Sequence, residues 1–306
     1  MLLKECIDEF LVYCSGIKSF SPNTVKGYGS DLEKFLLLLK VQDFCPLSEL
    51  SVEAVSYLHI RSCISLLSKE KKAPSSINRF ISSIRSLFRY AHRLHYCEKN
   101  PALECKTVKM PKKVPRYMTQ TEVTELCAQP ETNELLWAER DRAVFEILYS
   151  SGCRVSELAS LNMSDLSSDK SSAVVTGKGK KDRRIFFSKE AVKALLDYLN
   201  QRNEKIKADC KVAALFINQA GTRLSARGIR WIIARYSSAE GTSRHVSPHG
   251  FRHTFATSLL SNGADIRIVQ ELLGHASIST TQRYTHITTA QLIETYNKSH
   301  PHGGKQ

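Results

Sequence analysis

No stretch of this chain is apolar for long enough to cross a membrane. The greasiest run, FLLLLKV at residues 35–41, is interrupted by Lys40 and is far short of a span. The opening MLLKECIDEF carries acids early and has neither an apolar signal core nor a cleavage site, so a cytoplasmic protein is expected. The nine cysteines are an odd number, and none falls into a C-x-x-C pair or a zinc-ligand spacing. They are expected to be reduced thiols, many of them buried. There is no internal repeat, no block of like charge that would form a disordered tail, and no carboxylate cluster of the kind a metal-dependent nuclease needs. Acids are also scarce: 30 Asp and Glu stand against 44 Lys and Arg, a formal charge of +14. That imbalance points to a polyanionic partner, nucleic acid before membrane.

What is present is mostly helical pattern. Residues from about Leu3 to Tyr13 carry apolar side chains at helical spacing. Ser21 caps a second helix with Pro22 at its first position, where a missing N–H costs nothing. A third helix is expected from Ser51 to about Leu67. A fourth, from about Ser75 to His95, has Ile77, Ile81, Ile84, Phe88 and Ala91 as an apolar stripe and Arg79, Arg85, Arg89 and Arg93 on another face. An arginine stripe reads as a solvated face or, with this charge, as a face turned to a nucleic-acid groove. The proline- and lysine-bearing stretch after Asn100 is extended, with a linker at residues 106–115. Thr119 and Glu122 then form a Thr-x-x-Glu capping box. Further helices are expected near 119–128, 139–151, 155–161, 189–204, 225–238, 249–261, 265–273 and 289–297. SAVVTGKGKKDRRIFFS reads as two short strands around a Gly/Lys turn. The expected architecture is mainly α: a helical amino-terminal domain (1–105), the linker, and a mainly helical carboxyl-terminal domain with one small β-sheet (116–306).

Four islands could carry chemistry. SSGCRVSEL holds Arg154 at a glycine-marked helix start. TGKGKKDR holds Lys178 in the turn between strands. SPHGFRHTFAT holds His249, Arg252 and His253. GHASISTTQRYTHI holds His275 and Tyr284. Three-apart residues on a helix share a face, so His249 and Arg252 would point together near a helix N-terminus, where the backbone already favours an anion. A proton-exchanging histidine beside a phosphate-gripping arginine suits phosphoryl transfer. His249 and His253 are four apart but lack the acid of H-E-x-x-H, and GKGKK lacks the P-loop spacing and precedes a strand. A metal site and a nucleotide loop are therefore set aside. Taken alone, each reactive residue is more simply a packed tyrosine, an ordinary ion-pair arginine or plain turn chemistry.

Together, in order, the islands resemble the tyrosine site-specific recombinases of the lambda integrase family, and within them the Xer recombinases. SPNTVKGYGSDLEKF is similar to the start of the family's helical, SAM-like core-binding domain. SSGCRVSELASL, GKGKKDR, PHGFRHTFATSLL and VQELLGHASISTTQRYTHI are similar to its catalytic boxes, and the tail YNKSHPHGG is most similar to the XerC branch. The resemblance covers nearly the whole chain. It implies that Arg154 and Arg252 hold the non-bridging oxygens of a scissile phosphate, that Lys178 protonates the leaving 5′ oxygen, and that His249 is a general acid/base. It implies that His275 hydrogen-bonds the phosphate and that Tyr284 attacks phosphorus to give a 3′-phosphotyrosyl bond. No metal and no cofactor are implied. Implied partners are double-stranded DNA with a dif-type site, a XerD-like recombinase in a ring of two XerC-like and two XerD-like subunits, and an FtsK-type translocase, for resolving chromosome dimers at cell division. The helix near Gln291–Lys298 resembles the family's element that docks on a neighbouring protomer. Three departures stand out: Gly250 and Phe251 replace a usual basic residue and leucine, and Cys153 replaces a usual leucine before Arg154. These are expected to tune packing or DNA contact. Arg79, Arg85, Arg89, Lys112 and Lys113 are candidate DNA contacts. The rival classes are a non-enzymatic DNA-binding protein on the same scaffold and a metal-dependent nuclease. Phosphotyrosyl trapping separates the first from the recombinase, and activity in chelator separates the second.

Overall fold

The computed structural model describes residues 1–41, 49–110, 118–132, 137–177, 181–205, 212–237, 246–274 and 289–301. The chain forms two compact units, Met1–Val114 and Pro115–Gln306.

The first unit contains α1 (Leu3–Gly16), α2 (Pro22–Val41), α3 (Tyr57–Lys69) and α4 (Pro74–Arg93). Each buries one stripe: Leu3, Cys6, Ile7, Phe10 and Cys14 on α1 recur at three- and four-residue intervals. The predicted α4 stripe of Ile77, Ile81, Ile84, Phe88 and Ala91 is buried throughout. Full burial of each large aliphatic or aromatic side chain contributes roughly 1.5–3 kcal/mol. α3 begins six residues later than its pattern suggests. Residues Leu50–Val52 run extended against the chain start, with Leu3 N–H donating to the Leu50 carbonyl (2.8 Å) and Val52 N–H to the Met1 carbonyl (3.1 Å). Ser56 then opens the helix, its N–H donating to Nδ1 of His59 (3.0 Å).

The second unit is built around α6 (Ala138–Ser151), whose middle is buried on almost every side. Packed about it are α5 (Gln120–Thr132), α8 (Lys189–Lys205), α9 (Ala226–Ser237) and α10 (Pro248–Ser261). The predicted capping box forms in full at α5: Thr119 N–H donates to Glu122 Oε2 (2.8 Å) and Glu122 N–H to Thr119 Oγ1 (3.2 Å). The short α7 (Val155–Ser160) is followed by an antiparallel hairpin, β1 (Ser172–Thr176) with β2 (Asp182–Phe186), in register Ser172↔Phe186 to Thr176↔Asp182. α11 (Ile266–Leu273) and α12 (Thr289–Ser299) complete the unit. α12 lies on its own unit: Tyr296 and His300 are buried against Phe255, and Asn262 Nδ2 donates to the Ser299 carbonyl (2.7 Å). Among the described residues, the seven described cysteines are free and buried, and no helix is long and apolar enough to cross a membrane.

Candidate active site

Two glycine turns set the site. α6 ends at Gly152 with φ +57°, a left-handed cap that side chains adopt at a cost. A Cβ there would lie 2.4 Å from the Phe255 ring of α10. The chain then passes through buried Cys153, whose thiol burial pushes up to about 11, and reaches Arg154 at the N-cap of α7. Glu157, three residues on, takes both the Arg154 backbone N–H at Oε2 and its Nη1 at Oε1, each at 2.7 Å. The second turn is Gly274, φ +63°, which ends α11.

Arg252 reaches the same place from α10. Ser247 caps this helix, its hydroxyl accepting from Gly250 N–H, and Pro248 takes the first turn as expected. His249 and Arg252 straddle the edge of the buried face rather than sharing one environment: His249 is exposed, while Arg252 is buried. Residues three apart stand about 60° apart around the helix, so a pair at a boundary divides between water and core. Arg252 Nη1 donates to the Gly152 carbonyl (2.8 Å) and Nη2 to the Leu273 carbonyl (2.7 Å).

The last turn of α11 is therefore where the arginines meet. Three successive carbonyls each receive a different guanidinium: Leu272 from Arg183 Nε (3.1 Å), Leu273 from Arg252 Nη2 (2.7 Å) and Gly274 from Arg154 Nη2 (3.5 Å). A helix C-terminus carries partial negative charge, which favours cations there. Arg183 also grips Glu157 with both terminal nitrogens, Nη1 to Oε1 at 2.9 Å and Nη2 to Oε2 at 2.8 Å. Burial alone would push the Glu157 carboxyl up, but the Arg183 and Arg154 contacts outweigh it and hold the pKa at about 2. Arg252 is drawn down to about 10, first by burial and then by repulsion from Arg154 and Arg183. It remains a cation at neutral pH. The result is a dense positive centre with one ionised carboxylate behind it, a setting suited to a phosphate.

Lys178, His275 and Tyr284, with Lys112 and Lys113, lie outside the described residues. Lys178 lies in the sequence between β1 and β2, and the preceding Gly177 N–H donates to the Lys181 carbonyl (2.8 Å). His275 directly follows Gly274. Among the described residues, no group of three or more His, Cys, Asp or Glu is placed to hold a metal ion. Of the candidate DNA contacts, Arg89 is exposed. Arg79 is exposed but bidentate to buried Asp31 (3.1 and 2.8 Å). Arg85 is half-buried and donates to the Ala102 (3.0 Å) and Cys105 carbonyls. The side chains at the three departures make none of the arginines' hydrogen bonds described above. Phe251 is buried and stacks on Phe145 (5.9 Å between centroids), Cys153 is buried, and a Cβ on Gly250 would meet nothing closer than 3.9 Å.

Glu157 and Arg183 are site residues that the sequence reading passes over. The signal for Glu157 was its three-residue spacing from Arg154 at a helix start. Arg183 was hidden in the run KKDRR, which reads as a solvated basic strand. Sequence reading also passed over the outer face of α9, where Arg227, Arg230, Trp231 and Arg235 are exposed and the Arg235 guanidinium lies 5.7 Å from the Trp231 ring centroid.

Comparison with known proteins adds lineage to this geometry. Residues 116–291 match the Phage integrase family, and residues 7–95 match the Phage integrase N-terminal SAM-like domain. A tyrosine recombinase XerC of Treponema denticola is 42% identical over 98% of this chain and 100% of its own. A tyrosine recombinase XerC of Leptospira interrogans is 38% identical over 99% and 95%. In fold, the chain is similar to a lambda integrase tetramer bound to a Holliday junction, with a TM-score of 0.69 at 18% identity over 92% of this chain and 80% of that one. With both units matched and the identity carried along the full length, this chain belongs to the phage integrase family: it is a XerC-like tyrosine recombinase, an enzyme that cleaves and rejoins DNA through a covalent phosphotyrosine.

Proposed function

We propose that the arginine centre holds a scissile DNA phosphate and that Tyr284 is the residue that attacks it. The observation that carries this reading is the meeting of Arg154 and Arg252, nearly a hundred residues apart in sequence, at the carbonyls immediately before His275. In the reaction, Tyr284 Oη bonds to phosphorus as the P–O5′ bond breaks. The phenolic proton passes to His249, and Lys178 gives a proton to the departing 5′ oxygen. Arg154, Arg252 and His275 stabilise the charge of the pentacoordinate phosphorus. A free tyrosine has a pKa near 10, and nearby cations lower the cost of its phenolate. Rejoining reverses these steps with a 5′-hydroxyl from another strand. One ester replaces another, so no nucleotide hydrolysis is required.

The finer reading follows the XerC-like relatives. The protein acts in the cytoplasm on a dif-type site in double-stranded DNA, alternates with a XerD-like partner in a ring of two and two, and answers to an FtsK-type translocase in resolving chromosome dimers. The fold shared with a DNA-bound lambda integrase tetramer supports DNA binding and a multimeric assembly. Arg89 and the α9 face supply exposed cations for the backbone of the duplex; Lys112 and Lys113 are further candidate contacts in the sequence, and Arg79 and Arg85 are candidates already engaged in the contacts described above.

The test is a nicked suicide substrate carrying the site, incubated in EDTA with wild type and Tyr284→Phe and run on a denaturing gel. A covalent band in wild type alone is expected. DNA binding without a band, even after the partner recombinase is added, would reduce the protein to a DNA-binding role.

A further inference from the structure

We propose that Arg183 is a positioning residue for strand cleavage, tying the lysine-bearing hairpin to the phosphate-holding arginines; this rests on the reading of Arg154, Arg252 and Lys178 just given. Arg183 is the second residue of β2, five positions after Lys178, and its side chain is 11% exposed. Its three nitrogens make contacts on two other elements. Nη1 and Nη2 hold the carboxylate of Glu157 on α7, and Nε holds the Leu272 carbonyl of α11. The chain leaving α11 passes directly over its stem: a Cβ on Gly274 would lie 2.8 Å from Arg183 Cδ. One side chain therefore links the strand that follows Lys178, the helix that opens with Arg154 and the turn that leads into His275.

Its partner Glu157 gives this link a chemical consequence. The carboxylate is buried and shared between Arg154 and Arg183. With Arg183 present, most of its charge is answered from behind, and Arg154 keeps the capacity to turn nitrogens toward a phosphate. Without Arg183, an ionised, buried carboxylate faces Arg154 alone. It would hold that guanidinium more tightly and lower the positive potential at the phosphate. The α11 terminus would at the same time lose a tether to the hairpin. Arg183 makes no contact with phosphate in this reading. It acts through Glu157 and Leu272, so its loss should slow chemistry while leaving DNA affinity nearly intact.

Single-turnover cleavage of the nicked suicide substrate tests this, with DNA affinity measured in parallel by fluorescence anisotropy. Arg183→Ala is expected to cleave on the order of 10²-fold more slowly, the scale of an ångström-sized misplacement, with affinity within about threefold of wild type. Arg183→Lys should recover only part of the rate, because an ammonium cannot match a carboxylate bidentately. Glu157→Gln placed on Arg183→Ala should recover part of it too, by removing the unanswered charge. Millimolar guanidinium ion should speed Arg183→Ala and leave wild type unchanged. A general folding defect would instead lower the fraction of active molecules, with the rate constant of the active fraction kept and no response to guanidinium; that pattern overturns the proposal. Wild-type cleavage by Arg183→Ala, while wild type forms the Tyr284 adduct, also overturns it and leaves the function reading standing. Absence of the adduct in wild type overturns both.

Discussion

Replacing Gly152 by alanine should strike the fold and the site at once. The residue sits at φ +57°, and an L side chain in that region costs about 1–2 kcal/mol. The new methyl would also begin 2.4 Å from the Phe255 ring, with the nearest three ring carbons all within 3.0 Å, so ring or backbone must shift. Phe255 is 1% exposed and shares its cluster with Leu259, Val269 and Tyr296, which leaves little room to yield. Overpacking of this kind costs roughly 1–3 kcal/mol. The stiffer unfolded chain returns about 0.4–1 kcal/mol. A net loss of about 2–4 kcal/mol is expected. For a unit of this size that is a fall in Tm of roughly 5–15 °C, readable by calorimetry. Because the Gly152 carbonyl receives Arg252 Nη1, cleavage by the folded fraction should fall as well. Phe255→Leu supplies the control: made in that background, Gly152→Ala should lose the steric part of its cost and keep the backbone part. A loss under about 0.5 kcal/mol for Gly152→Ala alone, or an equal loss in both backgrounds, would refute the account.

Two further outcomes follow from buried charge. Burial raises the Glu146 carboxyl to about 7, with Arg142 pulling it down and Glu190 pushing it further up; its relative stability is therefore full below about 4.5 and lost as pH rises through 7, so Glu146→Gln should stabilise the protein at pH 8 by on the order of 2 kcal/mol and leave it unchanged at pH 4 in urea titrations. Arg79→Ala leaves Asp31 buried with the Ser83 hydroxyl (2.8 Å) and should destabilise the amino-terminal unit by about 1–3 kcal/mol, whereas Arg89→Ala should leave its stability within about 0.5 kcal/mol and reduce the salt slope of DNA binding by about 1, with denaturation and anisotropy separating the two.

The elements were legible where local chemistry decides them. Pro22 and Pro248 begin helices because each sits where no N–H is needed, and the Thr119–Glu122 pair closes as its spacing requires. The hairpin around GKGKK follows from alternation and a turn-forming stretch. Ser51 illustrates the opposite case: its helical pattern yields to a pairing with Leu2, far away in sequence, which no local window contains. The same limit separates the site residues. Arg154 and Arg252 stand out by the motifs around them, but Arg183 shows its purpose only when Glu157 and Leu272 arrive from distant segments. That His249 faces water while Arg252 turns inward depends on where the core boundary cuts α10, which helical spacing leaves open.

The three guanidinium groups gathered at the end of α11 carry a thermodynamic consequence for the DNA-free protein. Arg252 is drawn down first by burial and then by its cationic neighbours Arg154 and Arg183, so the folded, DNA-free chain holds like charges close together. A phosphate placed among them relieves that crowding, and the unfolded chain, with its arginines dispersed, gains nothing comparable. Substrate and folding are thus linked through one set of side chains. A saturating duplex at a hundred times its dissociation constant should stabilise the protein by about 2.7 kcal/mol by mass action. Part of that stabilisation originates in repulsion stored during folding and released on the arrival of DNA.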